Sequence, residues 1–450
     1  RKLAMPDTLI IVASVVLLVA ILSWIIPSGT YDYQEMNING RIRNVAIDGT
    51  YHTIDKSEVT TTGFLGFFSV LYRGCVEAAD VIFMILCCCG TFGVVVKTGA
   101  FHAGIGTILK KLKGKEILLV PIIMMIFGLG GSVFGMASEF YGFYPLIVGL
   151  GVALGYDAMF GFAIIAVGEF VGFMGATLNP YSVGIAQTIS GVELYSGTGY
   201  RAICFVIFMA ISIIYVMVYG RKIKKNPGAS VVFGEKNIHA FDRDELNEYS
   251  FTLKDGLVLL DVLVVLVVLM LGLIKWGWDF PQLCGLFLLM SMIAAAICKW
   301  SPNKWCSEFI DSAKTAMWGC ILTGIAKAIT VVMQDAQIMD TVIYGLSNVL
   351  KNAPHAVSAQ VMLVVQTLIN FFIPSATGQA SATMPIMAQL ADIIGVSRQT
   401  AVLAFQFGDG LSNIFWPTAD IVIICGLGGI SLQKWYKWFT PLFLILFVTQ

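Results

Sequence analysis

The sequence predicts an all-α polytopic membrane protein with about nine transmembrane helices and two re-entrant hairpins in an inverted repeat. Three observations support this fold class. Of the 450 residues, 57% are hydrophobic and 12% are charged, whereas soluble domains contain about 25% charged residues. Several apolar runs approach the roughly 20 residues that cross a bilayer. Two further apolar stretches are interrupted by Gly, Ser and Pro. This composition excludes a soluble globular enzyme.

The first span is predicted at about 8–27, because this apolar run follows Arg1 and Lys2 and is too long for a cleaved signal sequence. Basic loops lie in the cytoplasm, so the N-terminus is predicted to be cytoplasmic. The mixed charge of the stretch that follows suits the outside. Residues 1–63 are therefore predicted to form the first span and an extracytoplasmic loop.

Repeat one is predicted over 64–220. A span at 76–97 leads to a basic cytoplasmic loop, which contains Lys110, Lys111, Lys113 and Lys115. A Gly/Ser break then interrupts the apolar stretch 116–155, which we interpret as a re-entrant hairpin that turns near Ser138. Spans at 157–190 and 198–220 then return the chain to the basic cluster of the cytoplasmic linker, 221–255.

Repeat two is predicted over 305–433, after two scaffold spans in 256–304. It begins with a span at about 305–333 and contains a second hairpin, 355–395, that enters from the outside. The tip of this hairpin is the polar stretch 374–381. A last span, which we expect to be truncated, occupies 434–450.

An internal repeat supports this arrangement independently. Five residue pairs are separated by 240 positions without a gap: Pro145/Pro385, Leu150/Leu390, Gly155/Gly395, Gly168/Gly408 and Glu169/Asp409. Matches of Gly or Pro are common by chance, but the acidic residue directly after the matched glycine is not. Inverted repeats of this kind place a substrate near the midplane, on discontinuous helices.

Each hairpin is followed by a span that is predicted to break in its middle, at 168–180 and at 408–418. The two tips and the two breaks should converge on one site, where freed carbonyls coordinate a cation and helix N-termini hold a carboxylate. The candidate substrate-binding residues are the polar members of these four segments: Ser138, Glu139, Glu169, Thr177, Asn179, Ser375, Thr377, Gly378, Gln379, Ser381, Asp409 and Asn413.

Ionisable residues inside spans cost about 2.5–3.5 kcal/mol or more, so each is a functional hypothesis. Glu169, Asp409 and Asp420 are the candidates for proton or ion coupling, and Glu169 and Asp409 are predicted to face each other across the site. The alternative is that they are packing carboxylates, protonated or hydrogen-bonded to neighbouring helices. The hydroxyls and amides at the tips could equally bond to their own helices.

Other functional classes lack their motifs. Lys and Arg number 28, as do Asp and Glu, so no basic field is available for nucleic acid. The sequence contains no nucleotide-binding glycine loop, nucleophile elbow or zinc motif. The ten cysteines lie in or beside apolar segments and predict no disulfide framework. We expect no enzymatic activity, no metal and no cofactor apart from a coupling ion, which is either a proton or sodium.

The hairpin tips 135–139 and 375–381, each followed by a Pro-bearing arm, resemble those of the ion transporter superfamily. The segments 4–8 and 26–31 resemble the anaerobic four-carbon-dicarboxylate carrier family, and specifically its branch of basic amino acid antiporters. The resemblance spans the whole chain. It implies nine spans and two hairpins, a homodimer whose protomers have a scaffold and an elevator-like transport domain, and secondary active transport.

The tips depart from the family pattern in one respect. Related members carry Ser-Asn-Thr at both tips, whereas these tips read Ala-Ser-Glu and Ala-Thr-Gly-Gln. Dicarboxylate and sodium binding therefore do not transfer residue by residue.

The sequence favours a secondary transporter for a small amino-acid-like solute such as arginine or ornithine, because the predicted site is acidic. The basic residues in apolar segments, Arg73, Lys97 and Lys327, lie outside the broken stretches. A four-carbon dicarboxylate carrier is the alternative, and an ion channel or a membrane scaffold is a third class. The expected partners are the substrate, the lipid bilayer and a second copy of the chain.

Overall fold

The computed structural model describes residues 8–38, 41–112, 116–235, 239, 251–351 and 357–450. Some predicted features lie outside these residues: Arg1 and Lys2, Lys113 and Lys115 of the basic loop, residues 4–7, residues 236–238 and 240–250 of the linker 221–255, and the start of the second hairpin at 355–356.

Helices dominate the described chain. Those of the first half are α1 (Thr8–Ile25), α2 (Phe64–Glu77), α3 (Ala79–Lys97), α4 (Ala100–Leu112), α5 (Leu119–Leu129), α6 (Phe143–Ala153), α7 (Ala158–Met174), α8 (Val183–Ile189) and α9 (Thr198–Lys225). Those of the second half are α10 (Leu253–Lys275), α11 (Phe280–Ile297), α12 (Pro302–Lys314), α13 (Met317–Asp335), α14 (Met339–Lys351), α15 (Ser358–Phe372), α16 (Ala376–Ile393), α17 (Arg398–Ser412), α18 (Asp420–Gly428) and α19 (Leu432–Thr449).

Six helices of the described residues are long and apolar enough to cross a membrane: Thr8–Ile25, Ala79–Lys97, Thr198–Lys225, Leu253–Leu273, Phe280–Ile297 and Met317–Asp335. All six fall in regions where spans are predicted. Together with the low charge of the chain, they make this a multi-pass membrane protein.

The predicted all-α class omits a small β region between α1 and α2. Two antiparallel pairs form there, β1 (Ser28–Thr30) with β4 (His52–Ile54), and β2 (Tyr33–Ile38) with β3 (Arg41–Ala46). The strand β3 packs against α16, and Asp340 of α14 accepts hydrogen bonds from Thr30 Oγ1, the Tyr31 backbone N–H and Tyr33 Oη. Burial and the nearby Asp340 carboxylate raise the pKa of Tyr33 well above its ordinary value.

The repeat extends well beyond the five matched pairs. Eight helices, α2 to α9, recur in the same order as α12 to α19. The equivalent helices α7 and α17 begin 240 positions apart, and so do their N-caps, Asp157 and Ser397. The contacts follow the same symmetry, because α2 packs on α13 and α3 on α12, while α1 packs on α13 and α11 on α3.

Charged side chains follow the same symmetry with their signs exchanged. Arg73 of α2 forms an ion pair with Asp335 of α13. The residues 238 positions away from this pair are Asp311 and Lys97, and they interact electrostatically with each other. Asp311 forms its ion pair with Lys314, so the repeat relates one ion pair to one electrostatic interaction, with the acid and the base exchanged.

Two expected boundaries are wrong. The predicted span at 305–333 is divided into α12 and α13, because α12 is amphipathic and half exposed instead of continuously apolar. The predicted breaks begin too early, since Gly168–Glu169 and Gly408–Asp409 lie inside the continuous helices α7 and α17. A Cβ at Gly168 would lie 3.0 Å from the Met124 backbone, so this glycine permits close helix packing and does not interrupt a helix.

The two hairpin-like segments are pairs of short helices joined by irregular turns. In the first, α5 continues into a π-helical turn, Gly130–Phe134, and Gly135 then adopts a left-handed conformation with φ +68°. In the second, the chain turns at 373–375 between α15 and α16. The predicted second tip is therefore shorter than 374–381, because Thr377, Gly378, Gln379 and Ser381 belong to the first turns of α16.

Candidate functional site

Both hairpin turns open onto one cavity of about 510 Å³. The first turn contributes Ser138 and Glu139, and the second contributes residues 374–378. Asn413 and Asp420 line the cavity from the irregular segment after α17 and from the start of α18. The turn between α10 and α11 closes another side. The cavity is thus lined by residues of both repeats. The segments predicted from the sequence line it, but not every predicted residue is among the lining residues.

The charge of this cavity is its most informative property. Three carboxylates line it, those of Glu139, Asp279 and Asp420. Among the described lining residues there is no Lys, Arg or His. Aromatic rings complete the lining, including those of Phe170, Phe173, Tyr181, Trp278 and Phe280. Carboxylates and ring faces both attract cations.

Glu139 is positioned by its own turn. It is buried in the short 3₁₀ helix Ser138–Phe140, and its Oε2 accepts hydrogen bonds from the Ala137 backbone N–H at 3.0 Å and from Ser138 Oγ at 3.4 Å. The Ser138 hydroxyl is therefore committed to Glu139. Backbone donation of this kind holds the carboxylate at a fixed place on the cavity wall.

Asp420 begins α18, and its Oδ1 accepts a hydrogen bond from the Tyr141 hydroxyl at 2.9 Å. This bond connects the second repeat to the first hairpin. Asp420 also interacts electrostatically with both Glu169 and Asp409. It is therefore the link between the cavity and the buried acidic pair.

Glu169 and Asp409 are 0% and 1% exposed and are not among the cavity-lining residues. Glu169 Oε2 accepts from the Tyr144 hydroxyl at 2.8 Å, whereas its Oε1 has no hydrogen-bond partner. Asp409 Oδ1 accepts from Asn370 Nδ2 at 3.3 Å, and its Oδ2 has no partner. Glu169 and Asp409 thus each keep one oxygen without a hydrogen-bond partner.

The second hairpin presents a helix N-terminus to the cavity. Ser375 caps α16, with its Oγ accepting from the Gly378 backbone N–H at 3.3 Å. Thr377 Oγ1 donates to the Tyr181 carbonyl at 3.2 Å and so joins this turn to the irregular segment after α7. The first backbone N–H groups of a helix have no intrahelical acceptor and form a positive pole. This end of the cavity suits an anionic group.

Besides Glu169 and Asp409, four more predicted substrate-binding residues do not line the cavity. Gln379 donates to the carbonyl and side chain of Gln366, and Ser381 Oγ bonds back to the Thr377 carbonyl. Thr177 bonds to Ser132 and Asn179 bonds to the Gly131 carbonyl, so both secure the break after α7 to the first hairpin. Each of the four side chains thus donates a hydrogen bond within the protein, and none of them lines the cavity, which corrects their assignment to the cavity wall.

Several polar residues in or near the site were not predicted from the sequence. Gln366, Asn370 and Gln406 are fully buried amides, and Asn370 Nδ2 donates to both Asp409 and Asn413. They lie within apolar runs and have no spacing that distinguishes them. Asp279 had a clearer signal, since it directly follows the Trp-Gly-Trp turn between two predicted spans. Among the described residues, no group of three or more His, Cys, Asp or Glu side chains could hold a metal ion.

The sequence comparisons agree over the full chain. The sequence pattern of the C4-dicarboxylate anaerobic carrier family matches residues 5–450. An *Escherichia coli* (strain K12) protein named "Putative basic amino acid antiporter YfcC" is 32% identical over 100% of this chain and 95% of its own. An uncharacterized Haemophilus influenzae protein is 27% identical over 97% of this chain and 94% of its own.

Among solved structures, the *Alcanivorax borkumensis* YdaH transporter is 14% identical and covers 99% of this chain and 96% of its own, with a TM-score of 0.43. A likeness at this score is too weak to support an argument about the site.

Proposed function

The chain belongs to the C4-dicarboxylate anaerobic carrier family, and we propose that it is a secondary active transporter of a basic amino acid, of the arginine or ornithine type. Transport would proceed by alternating access, as exchange or as ion-coupled symport. The observation that carries the proposal is the cavity between the two hairpin turns, which is lined by three carboxylates and, among its described residues, by no basic side chain.

The two ends of such a substrate match two different parts of the cavity. The cationic group would lie near Glu139, Asp279 and Asp420, where negative charge and aromatic faces stabilise it. The α-carboxylate would accept hydrogen bonds from the free N–H groups at the start of α16. A four-carbon dicarboxylate, in contrast, would place a second negative charge beside these acids.

The buried acids offer a route for coupling. Asp420 interacts with Glu169 and Asp409, and each of those two has an oxygen without a hydrogen-bond partner. Like charges in a low-dielectric site cannot all ionise without a large cost, so an empty site would retain a proton that a bound cation displaces. We propose proton-coupled exchange on this basis, and sodium is the alternative coupling ion.

We also propose the membrane arrangement that this mechanism requires. The six long apolar helices would be completed by shorter or broken ones to about nine spans, with α5–α6 and α15–α16 as re-entrant hairpins. The N-terminus would lie in the cytoplasm of a bacterial inner membrane. Two copies would pair through a scaffold, while an elevator-like transport domain carries the cavity.

Transport by the purified protein in proteoliposomes tests the function. We expect uptake or exchange of labelled arginine or ornithine, and loss of this transport in Asp420→Asn. Glu193→Gln, which changes an exposed carboxylate that does not line the cavity, should transport normally. No transport across a panel of basic amino acids would refute the substrate class. Separately imposed proton and sodium gradients identify the coupling ion.

The description of the family favours one competing substrate class, four-carbon dicarboxylates. The same proteoliposomes distinguish it, because succinate should neither be transported nor compete with arginine if the acidic cavity selects cations. Succinate transport that survives the neutralisation of Glu139 and Asp420 would favour the dicarboxylate reading.

A further inference from the structure

Arg201 is a buried cation close to the N-terminus of α9, away from the acidic cavity. Arg201 is 1% exposed to solvent. The guanidinium donates through Nη2 to the Ser196 carbonyl, while Nε and Nη1 have no hydrogen-bond partner. A buried charge with two unused donor nitrogens carries a large desolvation cost that the described protein groups do not offset.

No described carboxylate offsets this charge. Arg201 has no ion pair in the described part of the chain, and no charged neighbour there compensates for the burial of its guanidinium. The Asp392 carboxylate, near the end of α16, is instead paired with Arg398 at the start of α17, at 2.7 Å. The positive charge of Arg201 thus lacks a counter-ion from the described residues.

The surroundings of Arg201 contain more donors than acceptors. The Ser196 carbonyl accepts from Arg201 and also from Gln187 Nε2 at 3.0 Å and Gln399 Nε2 at 2.6 Å. A carbonyl oxygen has two lone pairs, so three donors exceed its capacity. The Gln187 amide oxygen is itself occupied by the Tyr195 backbone N–H at 2.6 Å. An additional acceptor would relieve this competition.

We propose that Arg201 binds a compact monovalent anion, such as chloride or acetate, through Nε and Nη1. Gln187 Nε2 donates to both the Ser196 carbonyl and Gln399 Oε1, so the second N–H of Gln399 Nε2 is the amide donor available to complete the coordination. The start of α9 adds a favourable dipole. Because Gln187 lies on α8, Arg201 on α9 and Gln399 on α17, the anion would hold the two repeats together at this end of the molecule. The site shares no residue with the transport cavity, so its existence does not depend on the proposed substrate.

Anion-dependent stability tests this site. The purified protein is unfolded by heat at constant ionic strength while gluconate is replaced by chloride, bromide or acetate, and tryptophan fluorescence reports the midpoint. We expect the midpoint to rise by several degrees and to saturate, as for a ligand that binds only the folded state. A larger rise of the midpoint in chloride than in acetate indicates a halide site, and a larger rise in acetate indicates a carboxylate site.

Two variants separate the site from general salt effects. Arg201→Gln should lose the anion dependence, whereas Arg398→Gln, which removes a nearby exposed arginine, should keep it. If Arg201→Gln does not fold, bromide soaked into crystals of the unmodified protein should give an anomalous peak within hydrogen-bonding distance of Nε or Nη1. A flat response of the unmodified protein, an unchanged response in Arg201→Gln, or a bromide peak elsewhere overturns the proposal.

Discussion

Replacing Asp420 with Asn removes one negative charge from the cavity wall, retains the side-chain volume and keeps an oxygen that can accept the Tyr141 hydroxyl at Oδ1. Two unit charges about 4 Å apart attract by about 4 kcal/mol at an effective dielectric constant of about 20. The lost hydration of both groups offsets part of this attraction, and removing one partner of a buried charge pair costs about 2–5 kcal/mol. Because about 1.4 kcal/mol corresponds to a tenfold change in affinity, we expect arginine affinity to fall by at least about 30-fold.

The assay compares arginine with citrulline, which has nearly the same shape and no side-chain charge. Binding of both is measured by calorimetry on purified Asp420→Asn and on Asp392→Asn, an exposed carboxylate of α16 that serves as the control. Arginine should lose affinity only in Asp420→Asn, and citrulline in neither variant. An equal loss for both ligands would show that Asp420 acts through packing, and an unchanged arginine affinity would refute the electrostatic argument.

Three further outcomes are expected. Glu169→Gln and Asp409→Asn should each abolish proteoliposome transport while the detergent-solubilised protein keeps its elution volume, because the amides retain the volume and lose the proton-binding charge; wild-type rates would exclude a coupling role. Gly410→Ala should lower the thermal unfolding midpoint, since its Cβ would lie 2.5 Å from the backbone of α7 and overpacking costs about 1–3 kcal/mol, whereas Gly285→Ala, with no atom within 4 Å, should not lower it. Asp340→Ala should destabilise the protein by about 1–3 kcal/mol, because it leaves donors of the β region without an acceptor. Limited proteolysis should then cleave the β region faster than it does in a control variant that replaces an exposed aspartate of the β region.

The positions of the six long apolar helices were predictable, because hydrophobic length constrains them strongly. The 240-residue spacing, inferred from five residue pairs, recurs in the N-caps of α7 and α17. The breaks were harder to place, because glycine both interrupts helices and allows their close approach. Gly172, for example, is helical, and its Cβ would lie 2.2 Å from the Gly128 carbonyl oxygen. Only the neighbouring backbone distinguishes these two uses.

The segments of the site were predictable, but the direction of their side chains was not. Thr377 and Gln379 are two positions apart on the first turns of α16, so they point to different sides of the helix. Thr377 lines the cavity and Gln379 contacts Gln366. Sequence alone does not reveal which side faces the cavity. Asp279 belongs to a turn between two scaffold helices, and only the three-dimensional arrangement brings it to the hairpins.

The repeat also explains how a nearly symmetric backbone can recognise an asymmetric substrate. Glu139 lies 240 positions before Gln379, so the carboxylate of the first hairpin corresponds to an amide in the second. That amide turns inward to Gln366, which leaves the helix N-terminus of α16 as the main polar feature of the second hairpin at the cavity. One hairpin thus presents negative charge and the other presents backbone donors. A dicarboxylate needs hydrogen-bond donors for the carboxylate at each of its ends. An amino acid with a cationic side chain needs donors for its carboxylate at one end and negative charge for its cation at the other. Gln379→Glu should therefore reduce arginine affinity less than Glu139→Gln, because the new charge lies behind the helix N-terminus and away from the cavity wall, and equal losses measured by calorimetry would contradict the proposed polarity.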